Sequence, residues 1–253
     1  MLDCKPVSTS FPQGLKLNSR DGIPYKDPEQ YRRLVGRLFY LNFTRPDITY
    51  CVQQLSQYVN NPLHTHLEAA TYVLRYLKGC PSQGLFYPAH SDFSLVAYSD
   101  ADWASSGDTR RYLTGFYIFF GGGLVSRKTT KQHTVSRSSV EAEYSALGAT
   151  VCELKWLSYI AVDLAVPISH HIPLYCDNQA ALHIVVNPVF QERTKHLEID
   201  CHLVRDQFKA GFISPHKVPS HSQLADLFTN ALGVGLFGSL VSKLGLRDFL
   251  HVT

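Results

Sequence analysis

Four acidic residues stand at positions from which a folded sheet can bring them together. Asp100 closes the apolar run of SLVAYSDADWAS, residues 94–105, two positions before Asp102. Alternation along a strand puts those two carboxylates on one face. Glu143 comes one turn into the helical pattern SSVEAEYSAL. Asp177 ends IPLYCD just where NQAALHIVV opens a helix, and Asp226 lies in the first turn of SQLADLFTNAL. Taken singly, Asp100 is also a strand meeting solvent, Asp177 an N-cap and Asp226 a cap or dipole partner. Taken together, strand ends and helix starts on one edge of an α/β sheet converge on a crevice. Four carboxylates there repel one another unless cations neutralise them. All-oxygen ligation calls for Mg²⁺ or Mn²⁺ rather than zinc. Two such ions about 4 Å apart are the arrangement that cleaves phosphodiesters in line. Spacing alone does not choose between these readings.

The elements that must position the acids follow from periodicity. After an irregular first 25 residues, three helical patterns run through 27–43, 45–60 and 65–79, the last ended by Gly79 and Pro81. They form a small helical module without a catalytic constellation. From about residue 83 the period changes to strands. LTGFYIFFGGGLVSRKTTKQ reads as two strands joined at the glycines 121–123, a hairpin. A long amphipathic helix follows, capped by Ser138 or Ser139, and then IPLYCD, NQAALHIVV, the helix ERTKHLEIDCHLVRDQFKAG, the strand FISPHKVPS and two closing helices. The order β-β-β-α-β-α-α-β-α is a mixed α/β pattern with an antiparallel start.

Charge is distributed unevenly. The net is +3; residues 1–90 carry ten Lys and Arg against six Asp and Glu, and 91–253 fourteen against fifteen. Within 109–137, Arg110, Arg111, Arg127, Lys128, Lys131 and Arg137 occur with no acid. A basic surface beside an acidic cluster suits a phosphate-cutting site, although basic strand pairs are commonly only solvated faces. The six scattered cysteines form no CxxC pair and read as reduced thiols without a zinc site. No run is long enough for a membrane span and no signal peptide is visible, so the expectation is an intracellular protein with no membrane partner.

The segments YSDADWA, DTRRYLTGFYIFFGGGLVSRKTTKQHTVSRSSVEAEYSALGATVCELKWL, PLYCDNQAALHIVVNPVFQERTKHLEIDCHLVRD and VPSHSQLADLFTNAL resemble, in order, the ribonuclease H domain of copia-type LTR retrotransposon Pol polyproteins. The earlier part, through YRRLVGRLFYLNFTRPDITYCVQQLSQYVNNP and LRYLKG, is similar to the thumb and connection of the same elements' reverse transcriptase. The implied domains are an incomplete, thumb/connection-like helical segment at 1–90, a ribonuclease H-like domain at 91–233 and a helical tail at 234–253. The resemblance implies a ribonuclease H-like mixed sheet, its first three strands antiparallel and the rest parallel, flanked by helices. It also implies hydrolysis of the RNA strand of RNA/DNA hybrids with two Mg²⁺ ions, Mn²⁺ being the substitute.

Carried over residue by residue, the catalytic metal ligands are Asp100, Glu143, Asp177 and Asp226, with Asp102 a supporting or capping group and Glu141 a surface neighbour. Arg110, Arg111, Arg137, Ser138, Ser139, Asn178 and Gln179 flank the acids as candidates for holding nucleic acid, where contacts to the 2′-OH tell RNA from DNA. His221 lies in the loop where such enzymes keep a product-release histidine, and His196 belongs to a family motif. Arg127 replaces a usual Trp and Asn230 a usual Lys. The polymerase's paired-aspartate motif is absent from these residues, and the resemblance does not extend to fingers or palm. No reverse transcription is therefore expected from this chain alone, and the missing polymerase half is an expected partner. The competing expectation is a catalytically silent remnant that acts as a nucleic-acid-binding or interaction module.

Overall fold

The computed structural model describes residues 3–20, 22–102, 111–132, 136, 138–187 and 198–250. The first helices are α1 (Pro28–Leu41), α2 (Thr49–Ser56) and α3 (His64–Gly79), followed by strand β1 (Gln83–Leu85). Next come β2 (Leu95–Asp102), β3 (Leu113–Phe120), β4 (Gly123–Lys131), α4 (Ser139–Asp163), β5 (Ile172–Cys176) and α5 (Gln179–Val186). Then follow α6 (Glu198–Lys209), β6 (Ile213–Lys217), the single turn α7 (Asp226–Thr229), α8 (Val234–Val241) and β7 (Leu246–Asp248). The described residues fall into two units, one holding those up to Phe86 and from Asn230 on, the other those from Tyr87 to Thr229.

In the first unit, Asp27 caps α1, accepting from the Gln30 N–H at 2.9 Å, with Pro28 at the first helical position. Tyr31, Val35 and Leu38 turn inward to meet Ile48, Val52 and Leu55, all buried. A buried ion pair sits among them: Arg45 grips both oxygens of Asp47, at 3.0 and 2.7 Å, and Tyr76 donates to the same carboxylate at 2.6 Å. Within the span expected as a helical tail, residues 234–250 hold α8 and the short strand β7. α8 sets Phe237 edge-on to Tyr76 at 5.5 Å, and β7 pairs antiparallel with β1 through Gln83↔Asp248 and Leu85↔Leu246. That strand partnership joins the segment to the first unit.

The second unit is built on a five-stranded sheet in the order β4-β3-β2-β5-β6. β2, β3 and β4 are antiparallel neighbours; β5 joins β2, and β6 joins β5, in parallel. This is the ribonuclease H-like mixed sheet expected from the sequence. Gly121 and Gly122 make the β3–β4 turn with φ of +57° and +76°, a conformation that needs glycine. α4 lays Tyr144, Leu147, Val151 and Leu154 on Ala97, Phe116, Ile118, Ile172 and Leu174 of the sheet. Burial of those side chains, at ~1.5–3 kcal/mol each, holds α4 in register with the sheet. Pro215 is tolerated inside β6 because β6 is an edge strand. Arg127, where an aromatic was expected, keeps its place in the ladder opposite Tyr117.

Candidate active site

β2 and β5 run parallel, so their C-terminal ends lie on the same edge of the sheet. β2 delivers Asp100 there, and the bend after β5 delivers Asp177. α4 opens at the same edge. Its N-cap is Ser138, whose hydroxyl accepts from the Glu141 N–H at 3.2 Å, and one turn in the helix presents Glu143. α7 supplies Asp226 as its first residue. Asp100 and Glu143 are buried, at 4% and 5% exposure, and Asp177 and Asp226 are half-buried.

Each acid is held by a neighbour. The Thr229 hydroxyl donates to Asp100 Oδ2, and Ser220 donates to Asp177 Oδ2 at 2.9 Å. The Cys176 thiol donates to Glu143 Oε2 at 3.8 Å, within the longer reach of sulfur. The Ala101 N–H serves both Asp100 and Glu143, and the carboxyls of Asp226 and Asp100 lie within hydrogen-bond reach of one another.

The proton affinities of Glu143, Asp226 and Asp100 record this crowding. Burial, then the charges of Asp100 and Asp177, push Glu143 up to about 10. Burial and the same two charges push Asp226 up to about 8. Burial raises Asp100 to about 6 against the pull of the Thr229 hydrogen bond, with Asp177 and Asp102 adding to the rise. Desolvation and like charge both disfavour ionisation, so Asp100, Glu143 and Asp226 form an interacting group beside the charge of Asp177.

Glu143, Cys176 and Asp177 each bring a donor atom within 4.8 Å of the other two. Burial, and after it the charge of Glu143, hold the Cys176 thiol protonated well above its ordinary range. Sulfur is thereby a hydrogen-bond donor in this group, and the donors left for a cation are carboxylate oxygens. That set suits a hard divalent ion such as Mg²⁺ or Mn²⁺.

The structure brings the four acids named from sequence to one edge of the sheet, and the residues that hold them were not singled out there. Cys176, Ser220 and Thr229 read from sequence as ordinary strand, loop and helix residues. Gln223, fully buried, donates from Nε2 to the Ser99 carbonyl at 2.9 Å and ties the segment before α7 to β2. The only sequence signal was position: Thr229 stands three residues after Asp226, on the same side of a helical turn.

Asp102, on the same face as Asp100, is half-buried and adds its charge to the proton affinity of Asp100 and Asp226. Asn178 caps α5, accepting from the Ala181 N–H at 3.1 Å, and Gln179 pairs with His183. Ser139 is exposed at the start of α4, and Arg111 is half-buried just before β3. His221 is exposed on a short 3₁₀ turn, Ser220–Ser222, next to the serine that holds Asp177. Arg110, Arg137 and His196 lie outside the described residues.

No family model matches the chain. It is 42% identical over 248 residues to a retrovirus-related Pol polyprotein from transposon RE2 of Arabidopsis thaliana, which covers 97% of this chain. It is 40% identical over 246 residues, again 97% of the chain, to the corresponding polyprotein from transposon RE1 of the same plant. The chain spans about 17% of the length of each. Among solved structures, the N-terminal RNase H domain of rv2228c from Mycobacterium tuberculosis aligns with a TM-score of 0.40. That alignment covers 60% of this chain and 98% of that one at 15% identity.

Proposed function

We propose that this chain, which is 40–42% identical to retrovirus-related Pol polyproteins over 97% of its length, is a piece of a copia-type Pol polyprotein whose ribonuclease H-type unit hydrolyses the RNA strand of RNA/DNA hybrids. The observation that supports this reading is the convergence of Asp100, Glu143, Asp177 and Asp226 from different parts of the unit into one group, in which Asp100, Glu143 and Asp226 have raised proton affinity. Ionised together, these carboxylates repel one another unless cations neutralise them. No ion pair involves any of the four among the described residues.

In this reading the four acids hold two Mg²⁺ ions, or Mn²⁺ in their place. When bound, such a pair of cations supplies an activated water and neutralises charge on the departing oxygen. The protein's own part is to fix the carboxylates. Cys176 orients Glu143, Ser220 orients Asp177, and Thr229 orients Asp100. Arg111 and the exposed Lys128 of β4, with Arg110 and Arg137, meet the backbone phosphates of the hybrid. Ser139 and Gln179 reach the sugar hydroxyls beside the cluster, while Ser138 and Asn178 serve there as helix caps as well. His221 stands where it can ease departure of the cut strand. Backbone and hydroxyl contacts of this kind give little sequence preference.

The test is cleavage of a labelled RNA/DNA hybrid by the full chain, beside an RNA duplex and a DNA duplex, in Mg²⁺ and in EDTA. Cuts confined to the RNA strand of the hybrid and abolished by EDTA are expected. Equal cutting in EDTA, or cutting of the DNA strand, overturns the reading.

A silent, partner-binding module draws on a different observation. Phe39, Tyr40 and Phe43 lie at and just beyond the end of α1 at 55%, 79% and 65% exposure, the Phe43 ring in contact with both of the others. Exposed aromatic clusters mark interaction surfaces. A folded protein that leaves the hybrid intact in Mg²⁺ and Mn²⁺ is the outcome that selects this reading.

A further inference from the structure

α7 has four residues, too few to hold a helical turn by their own hydrogen bonds. Its place is set by what it touches. Before it, Gln223 is bonded to the Ser99 carbonyl at 2.9 Å. Within it, the Phe228 ring stacks on Tyr117 with centroids 3.7 Å apart. At its end, Thr229, fully buried, donates its hydroxyl to Asp100 Oδ2. The strap is therefore stapled to β2 on both sides of one peptide, at Ser99 and at the side chain of Asp100.

Gly115 makes the approach possible. It is paired with Asp100 across the β2–β3 ladder, and a Cβ on it would meet Thr229 Cγ2 at 2.9 Å and Phe228 Cβ at 3.0 Å. The Thr229 methyl thus occupies space that any other residue at 115 would fill. With the methyl fixed there, the hydroxyl is turned toward the carboxylate.

We propose that Thr229 is a positioning residue for cation binding, its hydroxyl fixing the Asp100 carboxylate in the orientation that receives the metal. This rests on the ribonuclease H reading of the four acids. A hydroxyl-to-carboxylate bond is charge-assisted, short and directional, and it ties the element carrying Asp226 to the carboxylate of Asp100, beside the contact between the two carboxyls themselves. Losing it frees Asp100 to rotate and loosens Asp226 together with it.

The experiment compares the full chain with Thr229→Val, which keeps the shape and the methyl, and Thr229→Ser, which keeps the hydroxyl. Mn²⁺ binding is measured by the electron paramagnetic resonance signal of free Mn²⁺, and hybrid cleavage is followed as a function of Mg²⁺, with thermal unfolding recorded in EDTA. Thr229→Val is expected to weaken Mn²⁺ binding and raise the half-saturating Mg²⁺ by about ten- to a hundredfold, the worth of a hydrogen bond to a charged acceptor. KM for the hybrid stays unchanged and Thr229→Ser restores both readouts. Mn²⁺ binding by Thr229→Val equal to the unsubstituted chain overturns the proposal, as does a Thr229→Ser defect as large as that of Thr229→Val. An unsubstituted chain that binds no Mn²⁺ and cuts no hybrid overturns the ribonuclease H reading, and this proposal with it.

Discussion

Gly115 stands directly opposite Asp100 in the β2–β3 ladder, and the absence of a side chain at one is what lets the other be reached from α7. A glycine inside a buried strand is unfavourable for the strand itself. Here it is retained because Thr229 and Phe228 fill the space. Gly115→Ala is expected to lower stability by about 1–3 kcal/mol, the usual cost of overpacking. Hybrid cleavage is expected to fall with it, because α7 moves away from β2. Thermal unfolding in parallel with cleavage rates checks both; an unchanged melting temperature contradicts the close approach.

The raised proton affinities of the cluster make stability depend on pH in a definite direction. Glu143, Asp226 and Asp100 hold their protons to about 10, 8 and 6 in the folded chain, above their values when unfolded. Above the ordinary carboxylate range the folded state then binds more protons than the unfolded state. Stability without metal therefore falls as pH rises, until the pH passes the folded values. Glu143→Gln, which has no charge to desolvate, is expected to flatten much of that decline. Urea unfolding in EDTA from pH 5 to 9 measures it. Equal slopes for the two proteins rule out Glu143 as the main contributor.

Saturating Mg²⁺ is expected to oppose the same decline. A cation that binds only the folded chain stabilises by RT ln(1 + [L]/Kd), about 2.7 kcal/mol at a hundred times Kd. The gain grows with pH as the carboxylates lose their protons. Unfolding midpoints with and without Mg²⁺ at pH 6 and pH 8.5 test it. A shift that is absent, or larger at the lower pH, contradicts carboxylate ligation.

The Arg45–Asp47 pair gives a prediction for the first unit. Both side chains are almost fully buried, and Asp47 also accepts from Tyr76. Asp47→Ala strands the guanidinium in the core and is expected to cost about 3–5 kcal/mol, whereas Arg45→Met with Asp47→Leu costs much less. A double-mutant cycle by denaturant unfolding measures the coupling. Additive effects would show that the pair is not a unit.

Much of the second unit is legible in the sequence because local patterns and final contacts agree there. The apolar run before Asp100, the glycines at 121–122 and the capped start of α4 each fix their own element. Strand ends and helix starts then put the four acids on one edge. What is not legible depends on partners far along the chain. SQLADLFTNAL has the pattern of a longer helix, yet only Asp226–Thr229 is helical, because Gln223 leaves to bond Ser99. β1 and β7 are three residues each, and nothing in QGL or LRD announces that they pair. Cys176 looks like one more apolar strand residue until α4 lays Glu143 beside its sulfur.

The most direct test of the account is the rate of RNA-strand cleavage of a hybrid in Mg²⁺ by Asp177→Asn, measured beside Asp102→Asn. Both substitutions remove a charge near the cluster, but only Asp177 is assigned as a metal ligand. Asp177→Asn, with its melting temperature intact, is expected to lose at least about a hundredfold, beyond what loss of an outer partner costs. Asp102→Asn is expected to keep most of the activity. Cleavage that survives Asp177→Asn, or falls equally in both, would contradict the four-carboxylate site.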